Sequence, residues 1–95
     1  MYARRLIHAF GLPKIFSQEA EYLLSKFETF PKKFSSETIA TALDLAIINF
    51  YVSHKNFNID IDVKKFMTFL DCNVKQVLFL TGIFYDKYLA TSRIQ

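Results

Sequence analysis

The sequence predicts an all-α domain built around one central, buried helix at about residues 36–53. Apolar residues recur at helical spacing along most of the chain. The stretch at 36–53 is apolar on nearly every side, which is typical of a helix enclosed by other helices. Because 52% of the 95 residues are hydrophobic, the chain can bury a substantial core. We therefore expect residues 1–95 to form a single helical domain.

The first two predicted helices are amphipathic. The first covers residues 2–10 and ends at the sequence Gly11-Leu12-Pro13. The second begins at Ser17, whose hydroxyl can cap the first turn, and ends between residues 27 and 30. Its expected inward residues are Ala20, Leu23, Leu24 and Phe27, and its expected outward residues are Glu19, Glu21, Lys26 and Glu28.

The central helix is the third, and either Ser35 or Ser36 can cap it. A short fourth helix is expected to begin at Asp60 or Asp62 and to extend to about residue 70. Asn73 then caps a fifth helix over residues 74–90. Its expected inward residues are Val77, Leu78, Thr81, Phe84, Tyr85, Tyr88 and Leu89.

Gly82 lies inside the fifth predicted helix, where glycine costs about 1 kcal/mol relative to alanine. This cost predicts a close crossing of the third helix at Gly82. Asp44 is the other exceptional residue, since it lies between Leu43 and Leu45 in the buried helix. A buried carboxylate needs a partner. We expect Arg4 or Arg5 of the first helix, or backbone amides at a nearby helix start, to supply it, which makes Asp44 a structural acid.

Five helices with a buried third and a long fifth resemble the cyclin-like fold shared by cyclins and transcription factor IIB. Three short motifs are similar to the N-terminal transcription factor IIB-like domain of the sixth subunit of the origin recognition complex. They are Ala20-Glu21-Tyr22-Leu23, Glu37-Thr38 and Leu43-Asp44-Leu45-Ala46. The resemblance implies a nuclear, DNA-associated subunit that helps to bind origin DNA and to assemble the replication-initiation machinery. Its implied partners are double-stranded DNA and the other subunits of that complex.

The residues themselves offer two basic surfaces for DNA. The fifth helix would present Asn73, Lys75 and Gln76 from its first turn, where the helix N-terminus favours anions. Lys64 and Lys65 lie on the preceding helix, close enough to contact the DNA backbone. The second candidate patch contains Arg4, Arg5, Lys32 and Lys33. Both sets are equally explained as solvated helix faces. With about three phosphate contacts, a single domain would bind DNA weakly.

Other chemistry is not expected. His8 and His54 are far apart and Cys72 is the single cysteine, so the sequence predicts no metal site, no cofactor and no catalytic residue. No stretch predicts a signal peptide or a membrane span, and we expect neither a membrane nor a small-molecule substrate as partner. Phe57 stands among polar residues, and a lone exposed ring there could anchor a partner.

Two functional hypotheses follow. The first is the DNA-associated subunit of the origin recognition complex. The alternative is a transcription factor IIB-type or cyclin-like protein-interaction module. A contiguous positive surface joining Lys64, Lys65 and Lys75 would favour the first. An exposed apolar groove between the third and fifth helices would favour the second.

Overall fold

The computed structural model describes residues 5–29, 33–59, 62 and 73–91. These residues form four α-helices and no strand, which confirms the all-α prediction for this part of the chain. The helices are α1 (Arg5–Ala9), α2 (Lys14–Leu24), α3 (Ser36–His54) and α4 (Val74–Thr91). The predicted fourth helix lies, except for Asp62, outside the described residues. The helix α4 is therefore the one that the sequence predicts as the fifth.

The central helix forms as predicted, and it extends one residue further than expected. The Ser35 hydroxyl oxygen accepts a 3.1 Å hydrogen bond from the Thr38 amide, so Ser35 rather than Ser36 is the N-cap. From Thr38 to Phe50 only Asn49 is exposed. The other three helices all pack against α3. The core of the domain is therefore assembled on this helix, as its apolar pattern indicates.

The end of α1 shows why the chain turns where it does. Gly11 has a φ of +58°, in the left-handed region that glycine adopts without strain. The Gly11 amide donates to the His8 carbonyl at 3.2 Å, and the Leu12 amide donates to the Ile7 carbonyl at 3.0 Å. This pair of bonds is the Schellman motif. The predicted end of the first helix is confirmed; of its inward residues, Leu6 and Ile7 are buried and Phe10 is half-buried.

The boundaries predicted for α2 are wrong. The helix begins at Lys14 with Pro13 as its N-cap, and it ends at Leu24. The early start brings Phe16 into the core, where its ring lies 4.8 Å from that of Tyr51 and 4.9 Å from that of Phe57. Burial of this ring outweighs the hydroxyl cap that Ser17 would provide. Phe57 is consequently half-buried, and it does not form the lone exposed ring that we considered.

The helices α2 and α4 are tied together by two hydrogen bonds between residues 69 positions apart. The Tyr88 hydroxyl donates a 2.7 Å hydrogen bond to Oε1 of Glu19. One turn further along both helices, the Tyr22 hydroxyl donates to the carbonyl of Thr91. Glu19 is only 1% exposed, so its predicted outward position is wrong. Burial of this carboxylate is compatible with folding because Tyr88 donates to it.

The capping prediction for α4 is confirmed, whereas part of its inward face is not. The Asn73 side-chain oxygen accepts a 3.2 Å hydrogen bond from the Gln76 amide. Leu78 and Leu89 were expected inside but are 48% and 47% exposed. Gly82 is also exposed, and a Cβ atom built there would have no packing neighbour within 4 Å among the described residues. The helix α3 does pack along α4, but the predicted close crossing at Gly82 is wrong.

Candidate interaction surface

Three of the residues predicted to contact DNA at the turn before α4 belong to the described part of the chain. Asn73, Lys75 and Gln76 lie together at the start of α4, and both Asn73 and Lys75 are exposed. The side-chain oxygen of Asn73 is engaged in the helix cap. Lys64 and Lys65 lie outside the described residues. The continuous positive surface that these lysines were expected to form with Lys75 therefore stays a prediction.

The second basic patch is represented by one described side chain. Lys33 is exposed, and its ammonium group lies 5.2 Å from the centre of the Phe34 ring in a cation–π arrangement. Arg4 and Lys32 lie outside the described residues, as does the side chain of Arg5. That these four residues form one basic patch therefore stays a prediction.

Asp44 is fully buried in the middle of α3, as the sequence predicts. Its neighbours along the helix, Leu43 and Leu45, are buried as well. The prediction that Arg4 or Arg5 neutralises it stays a prediction, because neither arginine side chain is among those described. The position of Asp44 in the core supports a structural role.

The most unusual surface of the described chain is a row of apolar residues along α4. We call it the α4 outer face and define it as Leu78, Phe79, Gly82, Ile83 and Leu89. Phe79 is 61% exposed and Ile83 is 42% exposed. Phe79 and Ile83 are four positions apart, as are Leu78 and Gly82. Leu89 follows Gly82 by seven positions, or two turns, so these residues lie on one side of the helix. Contiguous exposed apolar surface of this kind marks interaction sites, whereas scattered apolar residues need no explanation.

A groove of about 500 Å³ runs beside this face, between α3 and α4. Its walls are formed by two polar residues of α3 and by the flank of α4. The lining residues are Asn49, Ser53, Leu78, Thr81, Gly82, Tyr85 and Asp86. This is the location at which an exposed groove was expected to favour a protein-interaction module. The groove combines apolar surface with polar groups that can orient a partner.

One wall of the α3–α4 groove is held by a contact between the two helices. The Tyr85 hydroxyl lies 3.1 Å from Nε2 of His54, the last residue of α3. The His54 ring in turn lies 4.8 Å from that of Phe50 in the core. This chain of contacts positions Tyr85 at the groove, so the groove is formed by the fold itself and needs no partner to create it.

Charged side chains stand at both ends of the central part of the α4 outer face. Lys75 is exposed in the first turn of α4, and Asp86 is exposed three turns later. Between them the outer side of the helix carries Leu78, Phe79 and Ile83. The surface is therefore apolar in the middle and carries opposite charges at its two ends.

Sequence reasoning missed this surface because it assigned one inward face to α4. Leu80 is buried and was not predicted to be, whereas Phe79 and Ile83 received no role. The signal was nonetheless present. The segment at residues 77–84 has apolar residues on all sides of the helix. The core of the domain can cover only some of these sides, so apolar residues on the remaining side are exposed.

The described residues show no metal-binding arrangement. Within residues 5–29, 33–59, 62 and 73–91, no group of three or more His, Cys, Asp or Glu side chains could hold a metal ion. In that part of the chain no helix is both long and apolar enough to cross a membrane. Comparison of the chain with models of protein families, with curated proteins and with solved structures gives no match.

Proposed function

We propose that this chain is a non-catalytic protein-interaction module that binds an apolar helix of its partner along the α4 outer face and the α3–α4 groove. The observation that carries the proposal is the exposure of large apolar residues on consecutive turns of α4. Phe79, at 61% exposure, is the most exposed of them. Aromatic side chains in such positions are frequent anchors of protein interfaces.

The shape of the surface favours a helical partner. The helix α4 has 18 residues and is therefore about 27 Å long. Its exposed apolar residues form a strip along one side of the helix beside a groove, and such a strip is bound by the apolar side of an amphipathic helix. That partner would present apolar residues at steps of three and four, and a basic residue near Asp86 would match the charge of the groove.

The proposal agrees with the alternative that the sequence offered, a module of the transcription factor IIB type or of the general cyclin-like kind. The described helices follow the predicted order, in which the short α1, the helix α2 and the long buried α3 precede α4. Assignment to the cyclin-like fold is part of this proposal, and it rests on the order of helices and the buried third helix that the sequence predicts.

A DNA-associated role in the origin recognition complex, and with it nuclear localisation, is the second candidate. One observation favours it. Asn73 caps α4 as predicted, which exposes Lys75 in the first turn of a helix whose N-terminus favours phosphate. The apolar α4 outer face supports the interaction module more directly, because phosphate binding gives no reason for exposed Phe79 and Ile83.

Selection from a library of displayed helical peptides tests the proposed function. The wild-type domain serves as bait, and a Phe79→Asp, Ile83→Asp variant serves for counter-selection after circular dichroism confirms its fold. We expect peptides with apolar residues at steps of three and four, bound by the wild type and at least tenfold more weakly by the variant. Failure to select any peptide, or equal binding by the variant, would argue against the proposal.

A further inference from the structure

We infer that the helix bound on the α4 outer face is α4 of a second copy of this chain, paired antiparallel about a two-fold axis. The inference rests on the proposed function, because it uses the same face. It goes further by naming the partner and the register of the two helices. Its basis is the position of Gly82 and the placement of charge along α4.

Gly82 is the first observation. It lies in the interior of an 18-residue helix, where glycine is unfavourable, and among the described residues no packing neighbour lies within 4 Å of the Cβ position. Packing against the described residues therefore gives no reason for glycine at this position. A bulky side chain from outside the chain gives one, because the missing side chain leaves a shallow hollow on the α4 outer face.

The register supplies that bulky side chain. We place the two-fold axis at the level of the midpoint between residues 80 and 81. A seam residue of one copy then lies opposite a seam residue of the other copy when the two are equally far from this midpoint along the sequence, in opposite directions. Phe79 of one copy then faces Gly82 of the other, and the most exposed ring lies in the hollow. This contact occurs twice, as the symmetry of an isologous interface requires. Leu78 and Ile83 lie on the two flanks of this seam and add apolar surface beside it.

The charges fit the same register without further adjustment. Lys75 faces Asp86 of the second copy, so that an opposite-charge pair closes each end of the apolar region. Lys75, Phe79, Gly82 and Asp86 follow one another at steps of four, three and four, the spacing of a seam between two paired helices. A parallel pair in register would instead place Lys75 beside Lys75 and Asp86 beside Asp86. Charge complementarity therefore selects the antiparallel arrangement.

Sedimentation equilibrium over protein concentrations from about 1 µM to about 1 mM tests the inference, since this range covers weak and moderate dimers. We expect the wild-type mass to rise toward twice that of one chain. Lys75→Glu and Asp86→Lys should each weaken dimerisation roughly tenfold, because each creates two like-charge pairs. The combined Lys75→Glu, Asp86→Lys variant should restore most of the affinity. Lys14→Glu reverses an exposed charge on α2 and should change nothing.

A variant at Gly82 separates association from folding. Gly82→Gln places a good helix former in the hollow, so we expect a more stable monomer in urea denaturation together with at least tenfold weaker dimerisation. A merely structural role for Gly82 would not raise stability while lowering association. Circular dichroism confirms the helix content of every variant.

The outcomes distinguish this inference from the proposed function. A wild-type chain that stays monomeric at all concentrations overturns the inference, as does a combined charge variant that fails to recover. If helical peptides still bind the α4 outer face in that case, the interaction module stands with another partner. If no peptide binds either, both proposals fail.

Discussion

The hydroxyl of Tyr88 donates a 2.7 Å hydrogen bond to the carboxylate of Glu19, and both side chains lie in the core. Tyr88→Phe removes only the hydroxyl and keeps the ring. We expect it to lower the free energy of unfolding by about 1 to 3 kcal/mol, because a buried acceptor loses a donor. Urea denaturation measures the change. Tyr85→Phe is the matched control, since the bond of Tyr85 to exposed His54 should contribute less. Equal losses in the two variants would contradict this explanation.

Asp44 gives a second prediction about the core. Asp44→Ala should lower the free energy of unfolding by about 3 kcal/mol if its carboxylate is neutralised by a buried partner. Glu28→Ala, at an exposed position outside the proposed interface, should have little effect. Thermal melts of both variants provide the comparison. Double-mutant cycles with Arg4→Met and Arg5→Met then identify the partner, and the absence of any change in melting temperature for Asp44→Ala would reject the buried pair.

Alanine substitutions at the two glycines should change the free energy of unfolding in opposite directions. Neither has a packing neighbour within 4 Å of the Cβ position in the part of the chain that the structure describes, but Gly11 has a φ of +58°. Gly82→Ala should therefore stabilise the monomer by about 0.5 to 1 kcal/mol through helix propensity. Gly11→Ala should destabilise it by about 1 kcal/mol through backbone strain. Denaturation at low protein concentration measures both, and a destabilising Gly82→Ala would indicate a close contact that the structure does not show.

Ser35 and Ser36 provide a test of the cap on the central helix. Ser35→Ala removes the oxygen that accepts from the Thr38 amide, and it should cost about 1 kcal/mol. Ser36→Ala changes the first residue of the helix itself and should alter stability by less than about 0.5 kcal/mol. If the two variants were equally stable in urea, the assignment of Ser35 as the N-cap would be wrong.

DNA binding has its own test. Binding of the chain to a labelled duplex is measured across a salt series, beside a Lys64→Glu, Lys65→Glu, Lys75→Glu variant. If these lysines contact about three phosphates, the logarithm of affinity should fall with the logarithm of salt concentration at a slope of about −2.7. The variant should lose this salt-sensitive binding. No binding by the parent at low salt would remove support for the DNA-associated role.

The features that depend on local chemistry were predictable from the sequence. The central helix, the turn at Gly11, the burial of Asp44 and the cap by Asn73 each follow from a pattern within a few residues. The start of α2 was not predictable in this way. It depends on burial of Phe16 against Tyr51 and Phe57, which lie 35 and more residues away along the chain. Local rules favoured Ser17 because they contain no information on distant partners.

In the candidate site, too, the features that depend on local sequence could be predicted and those that depend on distant packing could not. That α4 is a helix and begins after Asn73 could be inferred from spacing alone. Which of its sides faces α3 could not, because residues 77–84 are apolar all round. Leu78 and Leu89 were therefore expected inside although both are exposed, and Phe79 was given no role.

The two hydrogen bonds between α2 and α4 also bear on how the chain opens. Glu19 with Tyr88, and Tyr22 with Thr91, both join positions 69 residues apart. Forming the first bond closes a long loop, and the second then needs only one further turn on each helix to come together. Both bonds should accordingly form and break as one cooperative unit. Amide protons at the end of α2 and in the last turn of α4 would then exchange with solvent through a single shared opening. Fraying of the last turn of α4 would therefore also increase amide exchange at the end of α2.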